Sequence, residues 1–431
     1  MRALLVLGLL ALIGCVRPAV TARAPRRHVV VVSIDGLRSD YLSSTAKIPT
    51  LRRLAADGVF APLRSVSPSV TYPAHTTLVT GVLPVRHGIY SNLPFDPLGQ
   101  NLDGWYWYAR DIKVPTLWDV AHAQGFTTAN VYWPVTVGAH FDWSFPQIWR
   151  SRTDEDDKLM RALSTPGLPE EVAKRYGRIP GERRDDTART EGAEYILETK
   201  HPELSFVYLT DLDTVQHASG PHSPQALATL EAIDGDVARL MRVAGPATFV
   251  IVSDHGFLPV ARIVKPSVLL RSAGLLDVTN GKVTGYRAAA WKAGGTCAIV
   301  VREPSVKAVV TKLFTEAAAD PRNGIAKVHD GAARFGEAPG VALVLEAADG
   351  FMFSPSIDGE LTEATSERGA HGYSPDRKEM QATLILSGDG VKRGATLGPV
   401  EMTDVAPTVA KLLGVTLASA DGKPLDGALT P

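Results

Sequence analysis

Cysteine is nearly absent: the 431 residues contain two, Cys15 and Cys297. With Cys15 processed or lipidated, no intramolecular disulfide can form, and Cys297 reads as a small buried apolar residue. An excess charge of one sign is lacking too, with 45 Lys and Arg against 46 Asp and Glu. A nucleic-acid groove needs clustered base, and this balance gives no sign of one. Internal repeats and low-complexity tracts do not occur. The apolar run at residues 3–13 is too short to span a bilayer.

That run nevertheless carries information. It follows Met1-Arg2 and ends in Leu12-Ile13-Gly14-Cys15, which reads as the apolar region of an export signal closed by a lipobox-like sequence. The expectation is a signal peptide over 1–15 and a lipidated Cys15 tethering an exported, periplasmic or membrane-anchored protein. Cleavage after Ala22 or Ala24 is the alternative. Residues 16–27, rich in Arg, Pro and Ala, read as the tether.

At 45% hydrophobic, with 38 Gly and 30 Pro, the rest has the composition of an ordinary globular protein. The run 28–36 (HVVVVSIDG) is β-branched and ends in a carboxylate and a glycine, the pattern of a buried parallel strand feeding a loop. The run 247–256 (ATFVIVSDHG) repeats it, and 205–209 and 382–386 are further strand candidates. Helical stretches at 49–58, 117–125 and 224–243 lie between them, and a capped terminal helix is expected over 403–413. Alternating strands and helices predict an α/β sandwich around a mostly parallel sheet flanked by helices. Residues 258–365 break this rhythm. They are expected to form a small inserted, lid-like subdomain in a core made of 28–257 and 366–431.

Functional groups in such sheets gather at the carboxyl ends of strands. Asp35, Asp213 and the pair Asp254-His255 all follow predicted strands. Asp213 and His217 are four apart, so one helical turn places both on one face. His371 sits between Gly369 and Gly372, whose lack of side chains suits a crowded site. Alone, each of these is more often a cap, a turn former or a surface histidine. Together they supply the mixture of imidazole and carboxylate that a hydrolytic zinc centre uses.

The segment 69–81 (SVTYPAHTTLVTG) reads as a loop entering a helix, with Pro73 at its first position. Thr71 then sits at a helix N-terminus, where free N–H groups and the dipole favour an alkoxide and bind phosphate oxygens. A threonine hydroxyl needs its proton removed before it attacks, and a bound zinc can do that. Without the metal cluster, Thr71 would be read as a helix cap.

These segments resemble the nucleotide pyrophosphatase/phosphodiesterase family of the alkaline phosphatase superfamily. The matching pieces run in family order: Ser33-Ile34-Asp35-Gly36, Thr71-Tyr72-Pro73, Val79-Thr80-Gly81, His87 to Asn92, Trp133-Pro134, Asp213 to His217 with Gly220-Pro221, Ser253 to Gly256, and Gly369 to Gly372. The resemblance implies an alkaline-phosphatase-like fold and a two-zinc phosphodiesterase acting on a small-molecule phosphate diester or nucleotide. Asp213, His217 and His371 would hold one zinc. Asp35, Thr71, Asp254 and His255 would hold the other, and Thr71 would become a phosphothreonine. Asn92 matches a position whose amide binds a phosphoryl oxygen, and Tyr72 and Tyr208 match positions lining the leaving-group or nucleobase pocket. The sequence departs from the family at Ala74, where asparagine is common, and at Asp211-Leu212, ahead of the metal-binding Asp213. Both departures bear on substrate choice. Phosphomonoesterases and phosphonoacetate hydrolases share the metal set. No Lys-x-Arg motif for a dianionic phosphate is evident, although Arg110 and Lys113 lie near in sequence. A surface-anchored binding protein that lost catalysis would have no reason to keep every ligand.

Overall fold

The computed structural model describes residues 26–101, 104–148, 154–181 and 185–430. The expected signal peptide, Cys15 and nearly all of the tether lie outside the described residues. Among the described residues, no helix is long and apolar enough to cross a membrane.

The β-branched runs form the centre of the molecule. Strands β1 (Val29–Ile34), β2 (Val59–Arg64), β3 (Thr128–Val131), β4 (Trp143–Phe145), β5 (Leu204–Leu209), β6 (Thr248–Val252) and β7 (Ala382–Ser387) make one sheet in the order β2-β7-β6-β1-β5-β3-β4. Short strands at Ala395–Thr396 and Val400–Glu401 extend it beside β2. From β6 to β4 every pairing is parallel, whereas β7 runs antiparallel to both its neighbours. All six residues of β1 are buried. Fully burying an aliphatic side chain contributes roughly 1.5–3 kcal/mol, which is why an unbroken valine run belongs in the middle of a covered sheet.

The expected helices form at Pro49–Asp57, Leu117–Ala123 and Pro224–Ala244. They pack in two groups. Asp186–Lys200 and Pro49–Asp57 lie on Pro224–Ala244, and Thr71–Thr80 lies against Val405–Leu413 and Leu117–Ala123. The terminal helix departs from its expected cap. Its preceding residue Asp404 makes no side-chain capping bond and instead accepts from the Lys423 N–H at 2.9 Å.

Residues beyond β6 build a second layer with its own hydrophobic cluster, including Leu270, Ile299, Phe314 and Leu345. Its four-stranded antiparallel sheet comprises Ala288–Ala293, Thr296–Val301, Val341–Ala347 and Ile325–Asp330. Cys297 is buried here, and burial pushes its thiol up to about 12, so it is inert at neutral pH. The hairpin turn Gly294-Gly295 presses on the loop carrying His371, with the Gly295 N–H donating to the His371 carbonyl at 2.8 Å.

Candidate active site

Three strand ends and one loop deliver the acidic and imidazole side chains to one place. Asp35 follows β1, and its N–H still donates to Leu209 O at 2.9 Å, so the carboxylate leaves from a paired strand end. Asp254 and His255 follow β6. After β5 the chain turns directly into the helix Asp211–Ser219, which carries Asp213 in its first turn and His217 one turn on. His371 follows the two-residue strand Gly369–Ala370. The glycines around it are required by contact: a Cβ on Gly372 would lie 2.0 Å from Ala293 O, and one on Gly369 would lie 2.4 Å from Gln216 O.

The groups that sequence placed apart converge. Asp213 Oδ1 lies 3.6 Å from His217 Nε2 and 3.8 Å from His371 Nε2. His255 Nε2 lies 3.3 Å from Asp35 Oδ1 and 3.2 Å from Asp254 Oδ2. The donor atoms of Asp213, His217 and His371 fall within 4.8 Å of one another, as do those of Asp35, Asp213 and His255. Asp213 therefore stands between the two expected ligand sets.

Four atoms in this cluster, Asp35 Oδ1, Asp213 Oδ1, Asp254 Oδ2 and His255 Nε2, are buried without a hydrogen-bond partner. An uncompensated buried carboxylate is costly, so three together are suited to hold a cation. The imidazoles are oriented for one. The Nδ1 atoms of His217, His255 and His371 lie 3.0, 3.1 and 3.2 Å from the carbonyls of Gly369, Gly256 and Ser69. For His255 and His371, donation from Nδ1 to those carbonyls fixes the tautomer that turns the Nε2 lone pair toward the carboxylates.

The electrostatics reflect crowding. Burial, then the neighbouring Asp254 and Asp213 charges, push Asp35 well above the usual carboxylate range. Burial and Asp254 raise Asp213 to about 6. Burial holds His255 and His371 neutral, well below the ordinary imidazole value. Burial would lower His217 as well, but Asp213 and Glu367 overturn that and raise it to about 9.

Thr71 is the first residue of the helix Thr71–Thr80, with Val70 at the cap position, so Pro73 stands third rather than first. All ten residues of that helix are buried. Among the described residues the Thr71 hydroxyl has no hydrogen-bond partner. The segment is held on both sides by ligand-bearing pieces, through His371 to Ser69 O and through His75. Asn92 Oδ1 accepts from the Tyr72 N–H at 2.9 Å, which satisfies a free donor of the helix start and leaves the Asn92 amide nitrogen as its available end.

The two tyrosines expected along a substrate pocket are both interior. Tyr72 is 1% exposed and lies against Trp105, ring centroids 5.3 Å apart, so Trp105 covers it. Tyr208 is 2% exposed and its hydroxyl donates to Asp35 Oδ2. That bond orients the Asp35 carboxylate from the interior. Arg110 is exposed over the Tyr108 ring, and the Lys113 chain packs on Gly88.

Sequence reasoning missed His75 and Glu367. His75 is fully buried, with Nδ1 2.8 Å from Thr71 O and 3.6 Å from Asp254 Oδ2, and Nε2 2.8 Å from Ser33 Oγ. Its place four residues after Thr71 was the available signal, since that spacing stacks two side chains on a helix face. Glu367 Oε2 lies 3.3 Å from His217 Nδ1, on the side of the ring away from Asp213.

Comparison with known proteins identifies the family and the fold. The family model of type I phosphodiesterase / nucleotide pyrophosphatase matches residues 29–374. Ectonucleotide pyrophosphatase/phosphodiesterase family member 3 of Mus musculus is 27% identical over 248 residues, covering 53% of this chain and 24% of that protein. A protein of Schizosaccharomyces pombe described as an uncharacterized pyrophosphatase/phosphodiesterase is 30% identical over 250 residues, covering 54% and 45%. The matched region thus spans less than half the length of these relatives. The structure of murine ectonucleotide pyrophosphatase/phosphodiesterase 5 superposes with a TM-score of 0.68 at 20% identity, covering 94% of this chain and 100% of that one, so the fold is shared. This chain belongs to the type I phosphodiesterase / nucleotide pyrophosphatase family.

Proposed function

We propose that this chain hydrolyses phosphodiester or phosphoanhydride bonds of small nucleotide-like molecules, with Thr71 as covalent nucleophile and two zinc ions as cofactors. The observation that carries the reading is the set of four buried, unpartnered ligand atoms in the cluster that adjoins the start of the Thr71 helix. Asp213, His217 and His371 would hold one ion, and Asp35, Asp254, His255 and the Thr71 hydroxyl the other. Mixed imidazole and carboxylate donors suit zinc. When bound, such a pair supplies Lewis-acid charge that lowers the pKa of a hydroxyl or water and offsets charge on phosphate oxygens.

The chain's own residues do the rest. Thr71 presents its oxygen at the positive end of a buried helix, where anionic oxygens are favoured. Its oxygen attacks phosphorus, the bond to the leaving oxygen breaks, and the chain carries a phosphothreonine. The proton Thr71 loses is matched by the one the leaving group takes up, and hydrolysis of the ester restores the hydroxyl. The Asn92 amide nitrogen, held by the Tyr72 N–H on its other end, donates to a non-bridging oxygen. Tyr208 keeps Asp35 turned toward the cluster. Residues 258–365 form the lid over this site, with the Gly294-Gly295 turn bearing on the His371 loop.

A murine relative of the same fold, described as an inactive threonine-to-alanine variant, was solved in complex with AMP, which supports a nucleotide as the substrate class. The deciding experiment compares bis(p-nitrophenyl) phosphate, p-nitrophenyl phosphate and phosphonoacetate as substrates, with mass-spectrometric trapping of phosphorylated Thr71. Preference for the diester with label on Thr71 supports the reading. Preference for the monoester or phosphonoacetate moves the chain to those activities on the same scaffold, and no turnover with no retained metal favours a binding protein. Export and lipidation of Cys15 belong to the same proposal. Palmitate labelling lost on Cys15→Ala supports them, and unchanged labelling overturns the lipidation.

A further inference from the structure

The helix that carries Asp213 and His217 lacks the cap its own sequence should provide. Thr210 precedes it and makes no side-chain capping bond. Its start is satisfied from elsewhere. Asp186, at the head of the helix Asp186–Lys200, accepts the Thr210 N–H on Oδ1 at 2.7 Å and the Asp211 N–H on Oδ2 at 2.9 Å. Asp211 returns the contact, its Oδ2 accepting the Asp186 N–H at 3.1 Å. The helix Asp186–Lys200 keeps its own cap, Asp185 accepting the Ala188 N–H, and through the exchange between Asp186 and Asp211 the two positive helix ends share two further carboxylates.

Arg189 closes this arrangement. It is fully buried, its Nη1 donates to Asp186 Oδ1 at 2.6 Å and also to Thr210 Oγ1, and its guanidinium lies 4.3 Å from the centroid of the Tyr132 ring. Its Nε and Nη2 have no hydrogen-bond partner among the described residues, so the buried charge rests on the Nη1 contacts and the Tyr132 face, and loss of Asp186 would leave it uncompensated. That arrangement sets where β5 ends and the Asp213 helix begins, and so where Asp213 and His217 point.

We propose that Asp186, fixed by Arg189, is a positioning residue for the Asp213, His217 and His371 group, acting on ion binding there far more than on binding by the Asp35, Asp254 and His255 group. The inference rests on the two-ion reading above. A partner that orients a metal ligand from behind typically changes metal affinity by roughly 10- to 100-fold.

The test reads metal retention. Holoprotein is challenged with graded chelator and Zn2+ per chain is measured, in two backgrounds. In Asp35→Ala the retained ion is held by the Asp213 group, and in His217→Ala by the other. Asp186→Asn is expected to weaken retention roughly 10-fold or more in the first background and less than about twofold in the second. Glu194→Gln breaks the Arg239 pair on the same helix without touching Thr210 or Asp211, and should lower thermal stability with no change in either retention. If Asp186→Asn does not fold, Asp186→Asn with Arg189→Met removes the buried charge as well and should show the same selectivity. Equal loss in both backgrounds, or none in either, overturns the proposal while leaving the two-ion reading intact. If neither Asp35→Ala nor His217→Ala lowers the zinc content of the holoprotein, the two-ion reading itself fails, and the proposal with it.

Discussion

His255 and His371 lie face to face, their ring centroids 3.7 Å apart and their planes within 8°. Burial holds both imidazoles well below their ordinary pKa, so no charge repulsion opposes the stack. Each is pinned by its Nδ1 to a carbonyl, on Gly256 and on Ser69. The stack joins a residue after β6 to one on the loop after Gly369–Ala370, and it draws the two expected ligand sets into one centre.

Thr71→Ala should abolish turnover at little cost to the fold. The hydroxyl has no hydrogen-bond partner among the described residues, so the loss is mainly that of a buried methyl and should cost about 1–2 kcal/mol at most. Removing a nucleophile costs on the order of 10⁴-fold or more in kcat. Zinc content should be largely retained. Steady-state kinetics on a diester checks this, and near-wild-type kcat would falsify the covalent mechanism.

Tyr208→Phe separates an orienting role on Asp35 from the expected substrate contact. It deletes the donor to Asp35 Oδ2 and nearly conserves volume. Activity or zinc affinity should fall roughly 10- to 100-fold, as for other residues that hold a ligand from behind. If only KM rises and zinc affinity is unchanged, Tyr208 contacts substrate after all.

Gly372→Ala should damage both stability and activity. Gly372 has φ +84°, and a Cβ there would lie 2.0 Å from Ala293 O. A left-handed residue with a side chain costs of order 1–3 kcal/mol before any collision is counted. The backbone must move, and His371 moves with it. Urea unfolding and kcat measured together check the pair of effects. Gly331→Ala, at φ +77° with open space around it, is the control that should lose stability alone.

Asp376 gives a pH dependence of known sign. Hydrogen bonds from Arg334 and Arg64 hold its carboxyl down to about 2. A depressed pKa means its stabilisation is full above the unfolded-state value near 4, and is lost as pH falls through about 2. The group is half exposed, so solvent screening limits it to about 1 kcal/mol or less. Asp376→Asn should therefore lower the midpoint of denaturation at pH 7 and leave it unchanged at the acid end. An equal loss at both ends would mean the Arg64 and Arg334 contacts act through packing alone.

The sequence by itself determined the core and the place where its acidic and imidazole residues gather. The unbroken β-branched runs had to be covered strands, because leaving so many branched side chains in water has no compensation, and the acidic and imidazole residues after them had to meet where those strands end. Periodicity also placed Asp213 and His217 on one helix face. It could not place what depends on contacts between distant segments. The third helical position of Pro73 follows from where Asn92 receives the Tyr72 N–H, and the interior setting of Tyr208 follows from the parallel pairing of β1 with β5, which sets its hydroxyl on Asp35. Asp186 is invisible as a cap in sequence because the N–H groups it satisfies belong to another helix. Local pattern reports which side chains must be buried; only the packed chain decides which buried polar groups find each other, because an unpaired donor or acceptor in the interior is costly wherever in the sequence its partner lies.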